Sequence, residues 1–185
     1  EKQVPCEFVF DRPSAPDTRV PLHNPLGKVP VLVLDDGRPL YDSVVIAEYF
    51  DVVGSGPRLI PQDFDERMTV LCLQALGDGL TDAIVALTHD ERFKAPGCDA
   101  QAAWYQKQLK KIERGLEVLQ KQATGRSFLH GQSLTLGDIC AGMAVAYLDQ
   151  MWPAWNWRGR YPALASYAEG LLARPSFRQT EPPPA

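Results

Sequence analysis

Apolar positions in this chain follow two different periods, and the period changes between residues 54 and 61. Before that point they come in short β-branched or alternating runs. Cys6-Glu7-Phe8-Val9-Phe10, Val31-Leu32-Val33-Leu34 and Pro39-Leu40-Tyr41 each have the length and pattern of a strand. Asp35-Asp36-Gly37 supplies hairpin-turn chemistry between the last two. Residues 11–22, rich in proline and turn formers, predict an irregular connection. Val44, Ile46, Ala47 and Phe50 then fall at helical spacing, and Gly54-Ser55-Gly56-Pro57 stops that helix after Val53.

From residue 63 onward the apolar residues step by threes and fours. Asp63-Phe64-Asp65-Glu66 is a capping box, with Asp63 as N-cap and Glu66 at the third helical position. The helix it opens reaches about Arg92, before Ala95-Pro96-Gly97. Its main apolar set is Phe64, Met68, Leu71, Cys72, Ala75, Leu76, Leu80, Ala83 and Leu87. Val70, Leu73 and Ile84 form a second apolar face, which predicts an exposed stripe for a second copy of the chain. Gly77 and Gly79 inside the helix predict a bend or a close approach of backbone.

A second helix is predicted over residues 99–123, through Ala102, Tyr105, Leu109, Ile112, Leu116, Leu119 and Ala123. Thr135 and Asp138 form another capping box, and the helix after it is apolar on nearly every side, as the central helix of a bundle should be. Residues 151–160 hold three tryptophans in a loop, and residues 164–173 form a last amphipathic helix. A proline-rich, disordered tail follows. The domains are therefore residues 1–57, mixed α and β, and residues 62–178, all helical.

Net charge is −4 with a pI near 5.4, and the basic residues are scattered, which argues against nucleic acid as a partner. No apolar run approaches the roughly 20 residues of a membrane span, so no membrane is expected. Cys6, Cys72, Cys98 and Cys140 lie far apart without a C-x-x-C, which predicts reduced thiols in a cytoplasmic protein. His23, His89 and His130 show no ligand spacing, so no metal is expected.

The chemistry concentrates in residues 24–43, from Asn24-Pro25-Leu26-Gly27-Lys28-Val29-Pro30 to Tyr41-Asp42-Ser43. A backbone held extended before a proline leaves the Val29 N–H and C=O open to an added strand. Ser43, read as the N-cap of the following helix, sits where unpaired N–H groups and the helix dipole attract a carboxylate. Asp42 beside it could hold an ammonium group. Together these groups suit a ligand with both a peptide backbone and an amino-acid head.

Residues 24–49, and residues 128–147 with Phe128-Leu129-x-Gly131 before the capped helix, resemble the glutathione S-transferase family, bacterial-type members most closely. The resemblance implies an α/β thioredoxin-like N-terminal domain, incomplete here, followed by an all-α helical-bundle domain. It implies that Val29 pairs with the cysteinyl backbone of glutathione, that Pro30 is the cis-proline, that Lys28 flanks the tripeptide, and that Asp42 and Ser43 bind its γ-glutamyl end. Glutathione would be co-substrate, its thiolate conjugated to a small hydrophobic electrophile by a homodimeric enzyme.

The family's catalytic serine, tyrosine or cysteine lies in a strand and helix ahead of the position of Cys6. The catalytic residue is therefore unknown and expected upstream of Glu1, in a segment of roughly 20 residues. Cys6 lacks the cation or helix start that lowers a thiol pKa. Asp78 and Asp82 read either as a solvated acidic face or as a partner for the ligand's ammonium group across a dimer. Trp152, Trp155 and Trp157 read as packing anchors, and Trp104, Tyr105 and His89 as candidates for the electrophile pocket. A non-catalytic binding protein, or a glutathione-dependent reductase, isomerase or dehalogenase, remains open.

Overall fold

The computed structural model describes residues 1–93 and 99–181, without the side chains of residues 89–102. The predicted C-terminal disorder, Cys98 and the His89 side chain lie outside the described residues. The chain divides into two compact units, Glu1–Ile60 and Pro61–Ala185.

In the first unit, residues 1–19 carry no helix or strand. One turn of helix, α1 (Val20–His23), interrupts the stretch expected to be irregular, and Pro21 at its start suits an N–H that would be unpaired anyway. The sheet is a single antiparallel pair, β1 (Leu32–Val33) and β2 (Pro39–Leu40), with Leu32 opposite Leu40 and Val33 opposite Pro39. Gly37, at φ +82°, turns the hairpin: its N–H donates to the Leu34 carbonyl, and Arg38 N–H donates to Asp36 Oδ1.

The strand expected at residues 6–10 does not form, because no described strand lies beside it to take its ladder bonds. Phe8 and Phe10 are 88% and 75% exposed there. After the hairpin comes α2 (Ser43–Val53), with the predicted bounds. Its buried Asp51 accepts the Leu59 N–H at 2.7 Å and meets Lys2 Nζ at 3.4 Å. Those bonds draw residues 58–60 into the first unit, a few positions past the expected boundary at residue 57.

The second unit consists of α3 (Phe64–Phe93), α4 (Asp99–Ala123), α5 (Leu136–Met151), α6 (Trp157–Arg160), α7 (Pro162–Leu172) and α8 (Pro175–Gln179). Asp63 caps α3 as expected, with Oδ1 accepting the N–H groups of Asp65 and Glu66. α5 is the central helix, packed on α3 and α7. A Cβ at Gly77 would stand 2.5 Å from the Cys140 carbonyl carbon, and one at Gly137 2.6 Å from Leu73 Cβ. Glycines therefore let α3 and α5 touch backbone to backbone. Gly79 has open space around it and plays no such part.

The expected core face of α3 holds at Leu80, Ala83 and Leu87 but not nearer the start of the helix, and the expected second face is buried. Val70, Leu73 and Ile84 are core residues at 0%, 6% and 1% exposure, beside Leu80, Ala83 and Leu87. Phe64, Met68, Cys72 and Ala75, assigned to the core, are exposed. The physical reason is Gly77. It shares a side with Val70, Leu73 and Ile84, and whichever side carries the glycine can accept α5 at contact distance.

Phe64–Thr88 is also long and apolar enough to cross a membrane by length and composition, although polar residues interrupt its apolar runs. Its buried side packs on α4 and α5.

Candidate functional site

The site residues of the first unit gather at the open end of the hairpin. Val29 and Pro30 lead into β1, while Asp42 and Ser43 follow β2 by one residue. Antiparallel pairing places the residues entering one strand beside those leaving the other. The two halves expected to act together therefore leave the same edge of the sheet.

The first half is a loop built around Asn24, which is 1% exposed. Its backbone N–H donates to the Val20 carbonyl at 2.9 Å and its carbonyl accepts the Gly27 N–H at 2.8 Å. Its side chain donates from Nδ2 to the Lys28 carbonyl at 2.8 Å and accepts the Leu26 N–H on Oδ1 at 3.0 Å. Gly27 stands at φ +61°, where a glycine is favoured. The Val29–Pro30 peptide is cis. Lys28, Val29 and Pro30 are exposed, and the Val29 N–H and C=O have no backbone partner among the described residues.

The second half departs from the expectation at one point. Asp42, not Ser43, is the N-cap of α2: it is extended at φ −90°, ψ −157°, and its Oδ1 accepts the Val44 N–H at 3.1 Å. The backbone decides this: Asp42 is the extended residue just outside the helix and Ser43 already lies within it, so the capping side chain is that of Asp42. Ser43 is the first residue of the helix, so its N–H and hydroxyl both stand at the positive end of the dipole, without a partner among the described residues. The result is two adjacent donors for an anion and a carboxylate for a cation, all exposed.

Residues 1–53 match the model of the glutathione S-transferase N-terminal domain, and residues 102–170 that of the glutathione S-transferase C-terminal domain. The uncharacterised GST-like protein YibF of Escherichia coli (strain K12) is 36% identical over all of this chain and 90% of its own length. The chain belongs to the glutathione S-transferase family.

Its fold is accordingly a thioredoxin-like domain followed by the family's helical domain. A glutathione S-transferase of Methylobacillus flagellatus KT, whose crystal structure has GSH bound, superposes with a TM-score of 0.92. It is 38% identical, over 98% of this chain and 89% of that one. Maleylacetoacetate isomerase of Rattus norvegicus is 29% identical over 86% of this chain and 70% of its own.

The remaining candidates of this family member sort by burial. Cys6 and Cys72 are exposed free thiols, and Cys140 is a free, half-buried one. Burial, reinforced by the charge of Asp78 and a hydrogen bond to it, pushes the Cys140 thiol up to about 12. Asp78 is thus engaged within its own unit, and Asp82 is exposed. Trp157, 2% exposed with Nε1 donating to Asp149 Oδ1 at 2.7 Å, is the packing anchor expected. Trp152 and Trp155 meet edge to face at 6.1 Å. Trp104 is 39% exposed and Tyr105 half-buried on α4.

Asn24 was not singled out as a site residue on the sequence. The signal was present in Asn24-Pro25, a pair that favours turn initiation.

Proposed function

We propose that this chain binds glutathione at residues 28–30 and 42–43 and presents its thiolate to a small hydrophobic electrophile, as a conjugating transferase. The observation that carries the reading is the pairing of a Val29 backbone without a backbone partner among the described residues, ahead of a cis-proline, with the open start of α2 at one end of the hairpin. In this reading Val29 forms two backbone bonds to the cysteinyl residue. Ser43 N–H and hydroxyl bind the γ-glutamyl carboxylate, Asp42 faces its ammonium group, and Lys28 flanks the peptide. Glutathione bound to the Methylobacillus flagellatus relative supports the ligand.

A free thiol of pKa about 8.5 is mostly protonated at neutral pH, so the chemical contribution is to lower that pKa and raise the thiolate fraction. No residue of the first unit is assigned that task. Cys6 is exposed on a stretch without strand or helix around it. The free thiols support a reducing, cytoplasmic setting. The dimer of this proposal rests on the exposed α3 residues Phe64, Met68, Cys72 and Ala75. Light scattering giving about twice the 20.5 kDa chain mass is its check.

The test of the site is retention on immobilised glutathione, with Ser43→Ala expected to abolish it. Unchanged retention of that variant would refute the assignment. Glutathione-dependent isomerisation is the second reading, favoured by the likeness to maleylacetoacetate isomerase. Turnover of maleylacetoacetate without consumption of glutathione, and no conjugation of an aryl halide, would decide for it.

A further inference from the structure

We propose that Asn24 is the positioning residue of the glutathione site: it aims the Val29 N–H outward by holding the other end of the same peptide group. The inference rests on the function proposed above. The Lys28 carbonyl and the Val29 N–H belong to one planar peptide, and in a trans peptide they point in opposite directions. The peptide joining Lys28 to Val29 is not among the cis bonds of the described residues and is therefore trans. Asn24 Nδ2 grips the Lys28 carbonyl at 2.8 Å from a position only 1% exposed. Once that oxygen is turned toward the interior, the N–H on its far side must face outward.

The amide of Asn24 cannot swap its two ends. Oδ1 accepts from the Leu26 N–H at 3.0 Å, so reversing the group would set donor against donor and acceptor against acceptor. Its own backbone is pinned at both ends as well, through Val20 and Gly27. The tether is therefore rigid from the buried side to the exposed one. A peptide added alongside Val29 meets an N–H already oriented for it, and the entropy of orienting that group is not lost on binding. Asn24 touches no ligand in this account; it acts through Val29.

The discriminating variant is Asn24→Asp, which matches the shape, keeps an acceptor for the Leu26 N–H and replaces the donor to the Lys28 carbonyl with a charged acceptor that repels it. The full chain is titrated with glutathione and, separately, with a γ-glutamyl alkylamide that lacks the cysteinyl and glycyl backbone and engages only the Asp42–Ser43 end. Asn24→Asp is expected to weaken glutathione at least tenfold and the γ-glutamyl amide less than twofold, with an unchanged circular dichroism spectrum. Equal losses for both ligands would make Asn24 a merely structural residue, and an unchanged glutathione affinity would remove it from the site; either result overturns the proposal.

Hydrogen exchange on the unaltered chain decides the case if the variant does not fold. The Val29 N–H should exchange fast alone and slow at least tenfold when glutathione is added, while the Leu26 N–H is protected throughout. A Val29 N–H protected equally with and without glutathione would overturn the proposal. Failure of the unaltered chain to bind glutathione at all is a separate result, and it overturns the function on which this inference rests.

Discussion

Asp42 and Asp138 both serve helix starts, and their surroundings are opposite. Asp42 stands exposed before α2 and accepts one N–H, from Val44. Asp138, in the first turn of α5, is 0% exposed and accepts from the Leu129 N–H at 2.7 Å, the Thr135 N–H at 2.8 Å, the Thr135 hydroxyl at 2.7 Å and the Tyr167 hydroxyl. The cap chemistry is shared, but one carboxylate is saturated by its own chain and the other is left open to solvent. A helix start is open to a ligand only where the fold leaves its donors and acceptors unused, as at Ser43 among the described residues.

The largest effect expected from breaking this contrast is at Asp138. Asp138→Ala leaves two backbone N–H groups and two hydroxyls unpartnered in the core and should destabilise the helical unit by about 3–5 kcal/mol. Urea unfolding followed by circular dichroism measures it; a loss under about 1 kcal/mol would show that the buried network carries little net stability. Asp42→Ala loses one exposed cap bond and should cost about 1 kcal/mol. Its larger consequence should be weakened retention on glutathione, because the carboxylate and the geometry at Ser43 are removed together. Stability and binding should therefore separate between the two aspartates.

A similar contrast holds between two glycines of α3. Gly77→Ala forces a Cβ against the backbone of Cys140 and should destabilise by about 1–3 kcal/mol. Gly79→Ala meets nothing within 4 Å and should stabilise by up to about 1 kcal/mol through helix propensity alone. Thermal unfolding of the two variants checks the pair, and shifts of the same sign would break the account of how α3 and α5 approach.

What the sequence made legible follows from range. The bounds of α2 and α4, the turn at Gly37, and the caps at Asp63 and Thr135 depend on residues two to four positions apart, and each appears where its local pattern places it. The α3 faces followed only in part, because both are apolar and the choice between them is made by α5, more than fifty residues on. The strand at residues 6–10 failed for a related reason: alternation prepares a strand, but only a neighbour completes it. At the candidate site, motif and resemblance single out Lys28, Val29, Pro30, Asp42 and Ser43, and the structure gathers them at one end of the hairpin. The exchange of roles between Asp42 and Ser43 turned on a single dihedral well, and Asn24 on a side-chain bond that no periodicity encodes.

The smallest effect concerns the thiols, and it contrasts the half-buried α3–α5 contact with the open surface. The Cys140 thiol is raised from its ordinary 9.0 to about 12, burial first and Asp78 second, so at neutral pH its thiolate fraction is about a thousandfold lower than that of an unperturbed cysteine. Alkylation with iodoacetamide, followed by peptide mass mapping, should label exposed Cys6 and Cys72 quickly and Cys140 only on unfolding. The same shift makes stability depend on pH. Below about 9 the thiol is protonated in both folded and unfolded chains and its contribution is intact. As pH rises toward about 12 the unfolded chain releases the proton while the folded chain retains it, and that contribution is lost. Cys140→Ala should therefore lose less stability than the parent protein between about pH 8 and pH 10.5. Parallel losses in the two proteins would place Cys140 on the open side of the contrast.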